Sequence, residues 1–123
     1  MKSAGKADAN AAFDASFLDI YTGGDKAVRD QVLRLFLTQA ELLLGRLKAA
    51  RGDQRAWHEA AHSLKGCASG VGASGLASLA REAEKRAGAS GADQATLIDQ
   101  LASVFVATAE QVKTLLSTSQ SSD

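Results

Sequence analysis

Apolar residues recur along this chain at three- and four-residue steps, and no run alternates apolar with polar residues over β-branched content. That pattern predicts amphipathic helices and no strands. Five helical segments are expected. The first, near Asn10 to Tyr21, would place Phe13, Phe17, Ile20 and Tyr21 on one side, and Thr22-Gly23-Gly24 ends it. Asp25 offers an N-cap to a long second helix from Lys26 to Arg51, whose stripe is Val28, Val32, Leu35, Phe36, Leu42, Leu43 and Leu47. Gly52 breaks that helix, and Asp53 caps a third that ends near Ser69. Gly70-Val71-Gly72 marks a turn, and Ser74 to Ala87 makes a shorter helix punctuated by Gly88. Ala89-Ser90-Gly91 reads as a linker. Asp93 opens the last helix, with Leu97, Leu101, Val104, Phe105, Thr108, Val112 and Leu115 in line.

Short loops between long amphipathic helices favour antiparallel neighbours. The expected fold is all-α: an antiparallel up-down four-helix bundle with an additional short N-terminal helix. Residues 1–8 and 118–123 are polar and expected to be disordered tails around a bundle spanning 9–117.

The whole chain narrows the class of function. Its 123 residues suffice for one core. Lysine plus arginine balance aspartate plus glutamate, 14 against 14, and no segment gathers one sign. A nucleic-acid partner held by phosphate neutralisation is not expected, nor is a polybasic membrane patch. No apolar run approaches the roughly twenty residues needed to cross a bilayer. Met1-Lys2-Ser3-Ala4-Gly5-Lys6-Ala7-Asp8 has no apolar centre, so no secretory leader is expected. The single cysteine, Cys67, excludes an internal disulfide and fits a reducing compartment. A cytoplasmic location and a monomer are expected.

The third helix carries the candidate chemistry. Trp57, Ala61, Leu64, Ala68 and Val71 follow alternating steps of four and three and fall within an arc of about 80°. His62 lies roughly 140° from Trp57 on the same projection, so it faces water. His58, Lys65, Gly66 and Ser69 surround it at i−4, i+3, i+4 and i+7. Any polar face of a bundle helix holds residues of these kinds. Gly66 is less ordinary. A glycine inside an exposed helix costs about 1 kcal/mol relative to alanine, in a chain that uses alanine freely. Its place one turn beyond His62 points to a partner that comes close to the backbone there.

Ala61-His62-Ser63-Leu64-Lys65-Gly66-Cys67-Ala68, followed by Gly72-Ala73, Leu76, Leu79-Ala80 and Glu84, resembles the signature of histidine-containing phosphotransfer domains. The resemblance is densest from Trp57 to Ala87. It implies that His62 takes a phosphoryl group from an aspartyl phosphate on one receiver domain, that of a hybrid histidine kinase. His62 would then pass it to the aspartate of another, in a response regulator. By the same resemblance Lys65 steadies the phosphoryl oxygens, Gly66 leaves room for the receiver's loops, and Nε2 is the modified nitrogen. Glu84 has two open roles: orienting the imidazole, or pairing with a cation such as Lys65. His58 and Ser69 border the docking surface. The protein would need no cofactor of its own, the receiver supplying Mg²⁺ and a lysine.

The chemistry is compatible with so plain a site. An exposed imidazole is a competent nucleophile, and phosphoryl transfer needs in-line positioning and charge neutralisation more than covalent machinery. Phosphorylation adds up to about two negative charges, which Lys65 and a protonated His58 would partly offset. No general base stands next to His62 to activate water, so a long-lived phosphohistidine is expected. Neither a G-x-x-x-x-G-K-[ST] loop nor a glycine-rich ATP lid is present, so the chain is expected to carry phosphate without generating it.

Two other readings stand beside this one. His58-Glu59-Ala60-Ala61-His62 matches H-E-x-x-H, the zinc-protease helix. With two histidines in the chain, a third ligand would have to be a carboxylate such as Glu82 or Glu84, and Lys65 would place a positive charge beside the metal. The other reading is a helical interaction module without phosphate chemistry. Length and polar ends fit a freestanding protein, although a phosphorylated domain of a larger chemotaxis-type kinase would share the features. Cys67, Trp57 and the run Arg81, Glu82, Lys85 and Arg86 read as packing, core and solvated face respectively.

Overall fold

The computed structural model describes residues 12–121. A 3-10 turn, Ala15–Leu18, runs into a single helical turn, α1 (Asp19–Thr22). Four longer helices follow: α2 (Lys26–Ala49), α3 (Gln54–Ser69), α4 (Ser74–Lys85) and α5 (Gly91–Ser121). The described residues contain no strand. Helices α2, α3, α4 and α5 each pack on the next, and α5 packs back on α2, closing the ring.

The caps explain most of the boundaries. Asp25 accepts hydrogen bonds from the amides of Ala27 and Val28, and Asp53 accepts from Ala56, so both aspartates cap their helices as expected. The last helix begins earlier than the sequence suggests. Ser90 Oγ accepts from the Asp93 amide, which makes Ser90 the cap, Gly91 the first helical residue and Asp93 a first-turn acid. At the other end α5 runs on to Ser121, past the expected boundary at Ser117. Ser117 to Ser121 contains no glycine or proline, so nothing in that stretch stops a helix already propagating. The expected tail at 1–8 lies outside the described residues, as do 122–123.

The N-terminal segment also departs from expectation. The expected helix would start near Asn10, which lies outside the described residues; residues 12–14 are irregular. Their backbone pairs with the turn between α3 and α4: Asp14 N–H donates to the Gly72 carbonyl and Gly75 N–H to the Ala12 carbonyl. Asp14 then caps the 3-10 turn through the Ser16 amide. Gly72 is needed here. Its φ is +79°, and a Cβ would lie 2.7 Å from the Asp14 carbonyl oxygen. The expected apolar side of this segment is formed in part: Phe13 packs partly buried on the core and Phe17 is half-buried, with Leu18 buried beside them, while Ile20 and Tyr21 are 75% and 71% exposed.

In the bundle, the α2 stripe rotates from its expected position. Phe36, Leu43 and Leu47 are buried with Leu33, Ala40 and Leu44, whereas Val28, Leu35 and Leu42 are exposed. Leucine lies on several sides of α2, so its own periodicity does not choose a buried side; contact with α3 and α5 does. In α5 Leu97, Leu101, Val104, Thr108 and Val112 are buried as expected, joined by Ile98, Ala109 and Leu116, while Phe105 and Leu115 are partly covered. No helix among the described residues is long and apolar enough to cross a membrane.

The α3–α4 seam positions the site. Trp57 is fully buried, and its indole N–H donates to the Ala83 carbonyl at 2.7 Å. Ala61, Ala68, Ala80 and Ala83 are also buried along these two helices. Small side chains let helix axes approach, so a side chain on α4 can reach the outer face of α3.

Candidate functional site

The apolar stripe of α3 is buried as its spacing predicts: Trp57, Ala61, Leu64 and Ala68 have no exposed surface, and Val71 has 5%. The opposite face carries the candidate residues. The side chains of His62 and His58 are 62% and 55% exposed, Gly66 and Ser69 are exposed, and Lys65 is half-buried. A Cβ placed on Gly66 would meet nothing within 4 Å, so packing inside the molecule does not require a glycine there.

Glu84 of α4 organises this face. Its side chain is mostly covered, and its two oxygens divide their partners. Lys65 Nζ lies 3.0 Å from Oε1. His62 Nδ1 is 2.8 Å from Oε2, and His58 Nε2 approaches that same oxygen at 3.3 Å. The two imidazoles lie nearly parallel, with 9° between ring planes and centroids 6.2 Å apart. Both alternatives left open by the sequence hold together: Glu84 contacts the imidazole and pairs with Lys65.

The electrostatics follow from the contacts. The hydrogen bond from Lys65, then that from His62, holds the Glu84 carboxyl below the usual glutamate range. The group is therefore ionised near neutral pH and can only accept hydrogen bonds. The His62 nitrogen facing it must carry the hydrogen, which defines the Nδ1–H tautomer of a neutral ring. Nε2 is then the nitrogen with a free lone pair. Burial pushes the Cys67 thiol up, away from thiolate character, consistent with a packing role.

The expectation that no general base stands beside His62 needs correction, because the Glu84 carboxylate is in hydrogen-bond contact with it. Sequence spacing could not show this, since the two residues are 22 positions apart on different helices. The carboxylate binds the Nδ1 edge of the ring, and both its oxygens already have cationic or N–H partners.

Of the H-E-x-x-H reading, His58 and His62 do meet Glu84, with the Lys65 ammonium on the same carboxylate, while the motif glutamate and Glu82 lie elsewhere. Glu59 pairs with Arg55 along the exposed face of α3, and Glu82 lies 3.8 Å from Lys85 on α4. Among the described residues no group of three or more His, Cys, Asp or Glu side chains is arranged to hold a metal ion. Arg81 and Arg86 are exposed, as a solvated face requires.

On its other flank α3 borders α2 across a shallow groove. Leu43, Arg46, Ala49 and Ala50 line one side, and Ala56, Glu59, Ala60 and Ser63 the other. A second, more apolar trough continues from Arg46 and Ala49 over the outer face of α2, along Gly45, Leu42, Glu41 and Thr38. Gly45 matches Gly66: it is exposed inside a helix, and a Cβ there would meet nothing within 4 Å.

Comparison with known families agrees with this geometry. The Hpt domain model matches residues 31–121, most of the chain, and the chain belongs to that family. No curated protein and no solved structure matches it. Hpt domains are phosphocarrier modules of two-component phosphorelays, and they work by contact with receiver domains.

Proposed function

We propose that His62 is the phosphoryl carrier, taking the group from the aspartyl phosphate of a hybrid kinase's receiver and delivering it to the receiver aspartate of a response regulator. The observation that carries this reading is the contact of an exposed imidazole with a buried-side carboxylate: Glu84 takes Nδ1–H and leaves Nε2 for the reaction. The Nε2 lone pair attacks phosphorus, the N–P bond forms as the aspartyl O–P bond breaks, and the aspartate leaves as a carboxylate. The ring keeps its Nδ1 proton and gains positive character, which the Glu84 carboxylate offsets. Reversal onto a second aspartate returns the neutral ring.

Lys65 starts on Glu84 Oε1 and stabilises phosphoryl oxygens by turning from, or bridging between, the two anions. Mg²⁺ belongs to the receiver. Gly66 and Ser69 lie beside the reacting ring and would be covered by the receiver, whose contact surface extends across Ser63 toward Ala49, Gly45 and Leu42. The bundle is read as up-down and antiparallel, the protein as a cytoplasmic monomer without nucleotide chemistry. Both Glu84 oxygens being engaged, and on the Nδ1 edge, favours a long-lived phosphohistidine over hydrolysis.

The test is transfer of radiolabelled phosphate from phosphorylated receivers of the source organism. His62→Gln should abolish acceptance while circular dichroism shows unchanged helicity. Label on the His62→Gln protein would assign the wrong site, and failure of the unaltered protein across a complete receiver set would sink the relay.

A further inference from the structure

Lys65 holds Glu84 Oε1, and a carboxylate bound through that oxygen alone would still turn about its last torsion, whose preference is broad. On Oε2 the structure places two imidazoles: His62 Nδ1 at 2.8 Å and, one helical turn earlier, His58 Nε2 at 3.3 Å. We infer that His58 is a positioning residue for phosphoryl transfer, acting through Glu84 to hold the carboxylate oxygen against Nδ1–H of His62. This rests on His62 as the carrier and adds a role to a residue that otherwise only borders the site.

Three observations point the same way. The approach of His58 is to the oxygen that orients His62, not to the one bound by Lys65. The ring of His58 lies nearly parallel to that of His62, and a nitrogen of each faces the same oxygen of Glu84. The side chain of His58 is also more than half exposed, so core packing does not fix it, and its ion-pair partner is Glu84. Lys65 on Oε1 and His62 on Oε2 define the carboxylate plane, and His58 adds a restraint on Oε2 from the N-terminal side. The His62 ring then keeps one tautomer and one orientation, with Nε2 outward. Because His58 makes the longer contact, it supports the His62–Glu84 hydrogen bond rather than replacing it.

The test compares His58→Ala, His58→Gln and His58→Phe in the full chain, by transfer rate from a phosphorylated receiver and by ¹⁵N NMR of the His62 ring. Glutamine carries an amide nitrogen near the position of Nε2; phenylalanine keeps the ring and loses the donor. Removing a partly exposed contact to a charged group should slow transfer about two- to fivefold. His58→Ala should also shift His62 from Nδ1–H toward a mixture of tautomers. His58→Gln should restore both readouts, and His58→Phe neither. An unchanged rate and unchanged ¹⁵N shifts in His58→Ala would overturn the inference, as would recovery by phenylalanine equal to that by glutamine. If the unaltered protein accepted no phosphate, the carrier reading would fall, while the ¹⁵N comparison would still decide whether His58 positions the carboxylate.

Discussion

The two flanks of α3 are built differently. Toward α4 the contacts are closed: Trp57 hydrogen-bonds Ala83, and Glu84 gathers Lys65, His62 and His58. Toward α2 the upper layer is open, with alanines and Ser63 along a groove and a trough over Leu42 and Gly45. In the proposed relay the closed flank sets the chemistry, because tautomer and charge near His62 depend on groups that cannot be left to a partner's arrival. In the same proposal the open flank is the recognition surface, where water is displaced only when a receiver docks.

Breaking the closed flank at its buried end should give the largest effect. Trp57→Ala removes a fully buried ring and the hydrogen bond to Ala83, and should cost about 3–5 kcal/mol in urea-denaturation stability. Glu84→Ala cuts the same seam at the surface. The fold should persist, while transfer through His62 falls on the order of tenfold to a hundredfold, as when the group orienting a reactive imidazole is lost. Stopped-flow transfer at equal helicity measures this, and a rate near that of the unaltered protein would mean that Glu84 does not orient the ring.

The outward face of α3 is probed more gently. Gly66→Ala should stabilise the helix by up to about 1 kcal/mol, since nothing inside the molecule opposes the added methyl. Gly66→Leu should stay folded yet slow transfer by obstructing the receiver. Equal transfer rates in both would remove Gly66 from the contact surface. The smallest effect concerns acid. The Glu84 carboxyl titrates below its ordinary range in the folded protein, so its contribution to stability is present above the unfolded value and is lost as pH falls through the folded one. Glu84→Gln should therefore flatten the loss of stability below the ordinary glutamate range, and an unaltered acid limb would show that the Lys65 and His62 contacts add nothing to folding.

The same contrast separates what is local in this chain from what is not. The caps at Asp25 and Asp53 were legible because an acceptor one residue before a periodic segment acts locally. The Ser90 cap was hidden because Asp93 three residues later offers the same chemistry, and only the turn geometry selects between them. The α2 stripe was legible in part: Phe36, Leu43 and Leu47 are buried, but the exposure of Leu35 and Leu42 depends on where α3 and α5 lie. Residues 12–14 gave no sign of pairing with the turn at Gly72, a contact across the whole of α2 and α3.

By itself the sequence determined the four long helices, the buried stripe of α3 and the opposite face holding His62, Lys65 and Gly66. Helical periodicity acts over a few residues, and each of these facts is local. Tertiary structure alone decided that Glu84 meets His62, His58 and Lys65 at one carboxylate. That meeting needs α3 and α4 brought together over their alanines, and the spacing of two helices is a property of packing rather than of either segment.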